Sequence, residues 1–176
     1  MSGTMEPMPA AVVAAAADAV RMLLRLEQGN EEAVVARVAA TALGLAESFC
    51  AQRLITREGR ERLIGGGDWR ALGLVPVRTI LSVADADGVA VPSDSARIDD
   101  DGRCWIRAEG VVVVRCRVGL VEEWDGLPPE IAHGVAIMGA HLFDNRAASA
   151  EPPAAVAALW RPWRRMRLDA RRAWAA

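Results

Sequence analysis

The chain has 176 residues, 52% of them hydrophobic and 25% charged, with a formal net charge of −2. This is ample apolar material for one core, and it leaves no whole-molecule field of the kind that marks a nucleic-acid or membrane binder. All 21 basic residues are arginine and tyrosine is missing, which excludes a phosphate-loop lysine, a Schiff base and any lysine or tyrosine general acid.

Pro9 suits a first helical turn, and Val12, Ala16, Val20, Leu23 and Leu24 recur at helical spacing until Gln28-Gly29. A second helix is expected from the N-cap Asn30 to about Gln52, with Val34, Val38, Leu45 and Phe49 along one face and alanines permitting close approach. The two should form a helical hairpin. After Arg53 the pattern turns strand-rich through Leu54, Ile55, Leu63 and Ile64, then Leu74 to Val83, with Gly65-Gly66-Gly67 read as a flexible connector. Asp87-Gly88 and Asp101-Gly102 signal turns, and Cys104 to Arg107 with Val111 to Val118 read as a hairpin across Glu109-Gly110, giving a small antiparallel sheet. Leu127-Pro128-Pro129-Glu130 opens a third helix bearing Ile131, Val135, Met138 and Leu142 on its apolar face, and a last helix starts near Ala154. The expected fold is α+β, with a compact domain over 1–150 and a docking helix and basic tail over 151–176.

Little in this sequence supports catalysis or metal binding. His133 and His141 lie eight residues apart on one helix, about 12 Å along its axis, too far to share a metal. Cys50, Cys104 and Cys116 have neither CxxC nor ligand-like spacing and read as buried, idle thiols of a reducing compartment. Met1 to Pro9 lacks the positive start of a signal peptide and charges interrupt the alanine stretch behind it, so a soluble, unexported chain is expected. Gly65-Gly66-Gly67-Asp68 lacks the lysine and helix start of a phosphate cradle. Asp85-Ala86-Asp87-Gly88 and Asp99-Asp100-Asp101-Gly102 lack the ligand spacing of calcium loops and read as tight turns. Glu122, Glu123 and Asp125 read as a solvated turn. No enzyme activity, cofactor or metal is expected.

The asymmetric feature is the C-terminus, where Arg161, Arg164, Arg165, Arg167, Arg171 and Arg172 face only Asp169 and are interleaved with Trp160, Trp163, Met166, Leu168 and Trp174. Burying one tryptophan ring removes about 150–250 Å² from water, worth roughly 4–6 kcal/mol, against about 0–1 for an exposed ion pair. Rings of this kind beside arginines are typical of binding hot spots, so the segment reads as a docking peptide that Pro162 kinks outward. A frayed basic tail is the plainer alternative. A second functional reading is a small nucleic-acid-binding accessory protein whose tail arginines neutralise phosphates.

The order of these parts resembles the head-tail connector, or adaptor, family of long-tailed phages and gene transfer agents. The resemblance rests on Ala46-Glu47-Ser48-Phe49 with Arg53-Leu54-Ile55, on Pro76-Val77-Arg78-Thr79-Ile80 and Val118-Gly119, and on Trp124-Asp125-Gly126-Leu127-Pro128-Pro129-Glu130-Ile131. It extends to His141-Leu142-Phe143-Asp144-Asn145-Arg146 and to Pro153-Ala154-Ala155-Val156 with Leu159-Trp160-Arg161-Pro162-Trp163-Arg164. Phe143 stands where the family often has tyrosine. The resemblance implies a structural ring, commonly dodecameric, at the head-tail junction of a virion or gene transfer agent particle. Its partners would be the portal protein and a stopper or tail-completion protein, with DNA passing through the lumen without sequence-specific binding. The portal-docking role then falls on Trp160, Arg161, Trp163, Arg164, Arg165, Met166, Arg167 and Leu168.

Overall fold

The structure, a computed structural model, describes residues 2–27, 29, 31–92, 95–145 and 151–165. Its elements are β1 (Ser2–Met5), α1 (Ala10–Leu24), α2 (Glu32–Cys50), β2 (Arg57–Ala71), β3 (Val77–Asp85), β4 (Ala96–Ile98), β5 (Cys104–Val118), α3 (Pro129–Asp144) and α4 (Ala154–Trp160). This is the expected α+β arrangement, helices flanking an antiparallel sheet in the sequence. The chain clusters into two units by structure type: one holds β1 and Ile55–Leu120, the other Met8–Leu54 and Val121–Arg165. Sequence alone set a docking segment apart from 151 onward; α4 instead packs on α3 and α2 within the helical unit.

In that unit α1, α2 and α3 pack on one another. Helix α2 is long and apolar enough to cross a membrane by length and composition alone. It buries Val35, Ala39, Ala42, Leu43, Ala46, Glu47 and Cys50, a stripe at the helical period. The expected face of Val34, Val38, Leu45 and Phe49 is only half-buried. Sequence weighting favoured the bulkier side chains, whereas the helices meet along the alanines because small residues allow close approach. Gly139 shows how close: a Cβ there would lie 2.5 Å from Val20 Cγ2. Helix α1 stops at Leu24, ahead of the expected Gln28-Gly29, because Arg25 turns left-handed at φ 55° and Leu26 N–H returns to the Arg21 carbonyl. Helix α2 ends in the same way, with Ala51 at φ 53° and Gln52 N–H donating to the Glu47 carbonyl. The proposed N-cap Asn30 lies outside the described residues.

In the sheet unit the strands run in the order β1-β2-β5-β3, with β4 also paired to β5. Two expectations change. Gly65-Gly66-Gly67 is not a connector but part of β2, and Glu109-Gly110 is not a turn but the middle of the continuous strand β5. The two glycine sites pair with each other, Gly65 opposite Gly110 and Gly66 opposite Glu109. A Cβ on Gly65 would stand 1.9 Å from the Ala108 carbonyl oxygen, so glycine is required here by the neighbouring backbone rather than by a bend. The register shifts by a bulge between Gly66 and Trp69, where Gly67 has φ 83°. The core is Leu63, Leu72, Leu74, Val77, Cys104, Ile106, Val112, Val114, Cys116 and Val118. Within it the Glu61 carboxylate is buried and accepts from the Gly73 and Leu74 N–H groups at 2.9–3.0 Å, which ties down the bend between β2 and β3.

Candidate docking site

The segment singled out by sequence begins in α4. Val156 and Trp160, four residues apart, are the buried positions of this short helix. Trp160 is fully buried. Its Nε1–H donates to the Ile131 carbonyl at 3.3 Å, its ring lies 5.8 Å from that of Phe49, and Gly134 makes room for it: a Cβ there would fall 2.2 Å from Nε1. The sequence assigned Trp160 a place in a partner's pocket. The structure places it in the core of its own helical unit, fully buried and with its polar edge satisfied.

Beyond Trp160 the chain makes a 3₁₀ turn at Arg161–Trp163, as Pro162 cannot continue the helix as donor. As far as Arg165 the kink does not carry the chain away from the helices. Gln52 Nε2 donates to the Trp163 carbonyl at 2.8 Å, Arg165 Nε donates to Gln52 Oε1 at 2.9 Å, and Arg165 N–H donates to the Cys50 carbonyl at 2.9 Å. That last bond satisfies one of the carbonyls a helix terminus leaves open. Through Arg165 the segment therefore lies along the end of α2, with Arg164 over the Phe49 ring at 5.8 Å. Arg161 and Arg164 are exposed, and Trp163 and Arg165 half-buried. Met166, Arg167 and Leu168 lie outside the described residues.

The remaining candidates hold structural positions. Asp85 Oδ1 accepts from Asp87 and Val89 N–H at 2.9 and 2.8 Å, and Asp99 Oδ1 from Asp101 and Arg103 N–H at 3.1 and 2.8 Å, closing the two expected turns. Burial raises the Asp99 pKa, but the bond from Trp105 Nε1, the two N–H bonds and the Arg103 charge outweigh it, holding the carboxyl below its usual range. All three cysteines are free and buried. Burial pushes Cys50 to about 11, helped by the Glu47 charge. It pushes Cys104 to about 12, with Cys116, Glu61 and Asp99 adding, and Cys116 to about 11, with Glu61 adding. His133 is exposed and His141 lies against Asn145. Glu122, Glu123 and Asp125 are exposed around a 3₁₀ turn. Among the described residues no cluster of His, Cys, Asp or Glu could hold a metal ion.

Sequence reading missed one surface. Arg60 and Arg62 of β2 and Arg115 and Arg117 of β5 all point to the face of the sheet opposite its core, and all are exposed. The register sets Arg60 directly across from Arg115 and Glu58 across from Arg117. Its trace in the sequence is an Arg-x-Arg in each strand, the period that puts both arginines on one face.

The carboxylates and aspartates described here thus hold turns, the thiols are buried, and the arginines of β2 and β5 lie outside. No protein-family model matches the chain, and no curated protein matches it. Among solved structures it is similar to a chain of the virion of the native gene transfer agent particle, at 26% identity over 96% of this chain and 97% of that one, with a TM-score of 0.75. The same values hold for a chain of the neck of the empty gene transfer agent particle, computed with C6 symmetry. A chain of the neck of the native particle, computed with C12 symmetry, shares the fold at 24% identity, 94% and 97% coverage and a TM-score of 0.70.

Proposed function

We propose that the chain is a structural subunit of the neck of a gene transfer agent or related phage-like particle, acting as the head-tail adaptor. In this reading its copies form a ring that joins the portal to the stopper and tail, and DNA passes through the centre. The observation that carries it is the likeness, across almost the whole of both chains, to chains of the gene transfer agent virion and its neck.

Portal docking is assigned to Arg161, Trp163, Arg164, Arg165, Met166, Arg167 and Leu168, with Trp160 as the internal post that holds the segment's root. Guanidinium forks suit carboxylates on a partner. Because Trp160 is fully buried, a truncation that begins at Leu159 would damage the fold as well as the docking segment. The informative truncation removes 166–176. When the full chain is co-expressed with the portal protein of its own particle, it should co-sediment as a ring visible by electron microscopy. The shortened chain should melt at the same temperature and stay in the supernatant. Undiminished co-sedimentation would remove the docking role from the tail, and a full chain that never forms a ring on the portal would remove the adaptor reading.

A further inference from the structure

We infer that the outward face of the sheet is a contact between neighbouring copies of the chain, its apolar patch of Ile64, Val111 and Val113 receiving Met22 and Leu23 from the acidic end of α1 of the next copy. The inference rests on the ring reading above and names the two surfaces that meet in it.

Strand β5 breaks the alternation expected of a sheet that is wet on one side. Residues 111–114 are consecutive valines. Val112 and Val114 are fully buried in the core, so Val111 and Val113 point to the opposite side. Leu63-Ile64 in β2 repeats the pattern, with Leu63 in the core and Ile64 outside. The register sets Ile64 opposite Val111 and Arg62 opposite Val113, and Ala84 of β3 flanks Val113 from its other side. The outward apolar side chains are therefore contiguous, and Ile64 is 62% exposed. Farther along the same face stands Trp69, with Arg97 and Arg107 over its ring at 4.6 and 5.2 Å. Strands that are apolar on both sides belong to sheets covered on both faces.

The surroundings of the patch select its occupant. On this face Arg60, Arg62, Arg107, Arg115 and Arg117 outweigh Glu58, Glu109 and, at the bulge, Asp68, with Arg115 already paired to Glu58 at 2.8 Å. An apolar centre inside a polar, here basic, rim is the anatomy of a protein interface, and the matching insert is apolar with acidic neighbours. Among the described residues the large exposed hydrophobics are Met22, Leu23, Ile64, Leu81, Val89 and Ile98, and of these only Met22 and Leu23 lie in the helical unit. They occupy the last turn of α1 at 75% and 44% exposure. The chain that follows carries exposed Glu27, Glu31 and Glu32 against Arg25. The acidic run Glu122 to Asp125 lacks such an insert, since its Trp124 is half-buried. Residues 166–176 bring Arg167, Arg171 and Arg172 against Asp169, the same sign as the rim. Two unlike surfaces that fit each other make a head-to-tail contact, which a closing rotation repeats into a ring.

The test is cross-linking with a short flexible bismaleimide, using full chains co-expressed with the portal protein of the same particle. The native thiols are buried, so introduced cysteines report the surface. A mixture of Met22→Cys chains and Ile64→Cys chains, one of them tagged to differ in size, should give mixed dimers, while either variant alone should give none. Charge supplies the second arm. Glu27→Arg with Glu31→Arg, or Arg60→Glu with Arg62→Glu, should each cut ring formation by at least about tenfold, as like charges come to face each other. All four substitutions in one chain should restore it, and the exposed positions should leave the melting temperature unchanged. Rings that form without mixed dimers, reversals without effect, or a fourfold variant that fails to recover overturn the contact. Linkage of Ile64→Cys to the portal instead overturns it in favour of that partner. The cross-linking is repeated on the chain alone at high concentration. Mixed dimers there, with no ring on the portal, keep the contact and sink only the adaptor; rings without mixed dimers sink only the contact, and absence of both sinks both.

Discussion

The helical unit makes its closest contacts on glycine and one large ring, Trp160 against Gly134 and Phe49 and Val20 against Gly139, whereas the sheet unit packs mainly β-branched side chains and ties its turns with aspartates, Asp85 and Asp99. Each unit also buries a carboxylate that accepts from the main chain, Glu47 from Leu54 N–H in the first and Glu61 from Gly73 and Leu74 N–H in the second. The difference teaches where each unit is vulnerable, since tight packing is sensitive to one methyl group and a pinned turn is sensitive to loss of one oxygen.

The sharpest way to break this comparison is Trp160→Ala, which should cost about 3–5 kcal/mol in urea unfolding, as for large aromatic truncations in cores. Hydrogen exchange should show α3 and α4 opening first; equal loss of protection in β2 and β5 would mean that the two units do not fail separately. Gly134→Ala tests the same contact from the other side and should cost about 1–3 kcal/mol by overpacking, visible as a lower melting temperature. For the sheet unit, Glu61→Leu leaves the Gly73 and Leu74 N–H groups without their acceptor, and about 1–3 kcal/mol is expected for such an unsatisfied group. Gln52→Ala removes bonds to Trp163 and Arg165 and should cost only about 1 kcal/mol while weakening portal binding more than stability. The smallest effect is on the thiols. Their folded pKa values of about 11 to 12 lie above the ordinary 9.0, so their contribution is intact below pH 9 and fades as pH climbs from 9 toward 11 or 12. Iodoacetamide at pH 8 should leave all three unlabelled until denaturant is added.

Elements with a local signature were legible in the sequence. Pro128-Pro129 and the spacing of Ile131, Val135 and Met138 define α3, and Asp-Gly pairs define the two turns. What escaped depends on pairing between distant strands. Glu109-Gly110 looks like a two-residue turn, yet the even-numbered Cys104, Ile106, Val112, Val114, Cys116 and Val118 are all buried. That unbroken phase across Gly110 marks one strand, and only the partner Gly65 explains the glycine. Ser2–Met5 is too short and polar to declare itself, and its strand character comes from pairing with Gly59 to Arg62. The candidate site divided similarly. Composition located the arginine and tryptophan segment, but a ring's preference for burial does not say whose interior receives it, and Trp160 found its own. The sheet arginines lie on strands brought together only by register, so no window along the chain contains them.

The bond from Arg165 N–H to the Cys50 carbonyl has a mechanical meaning. Tension arriving from residue 166 onward is divided between the terminal carbonyl of α2 and the Gln52 amide before it reaches the indole behind them. A strap fixed in this way behaves as a bracket instead of a swivel. A subunit hauled by its last residues would transmit the load to a nineteen-residue helix rather than peel away from its own interior.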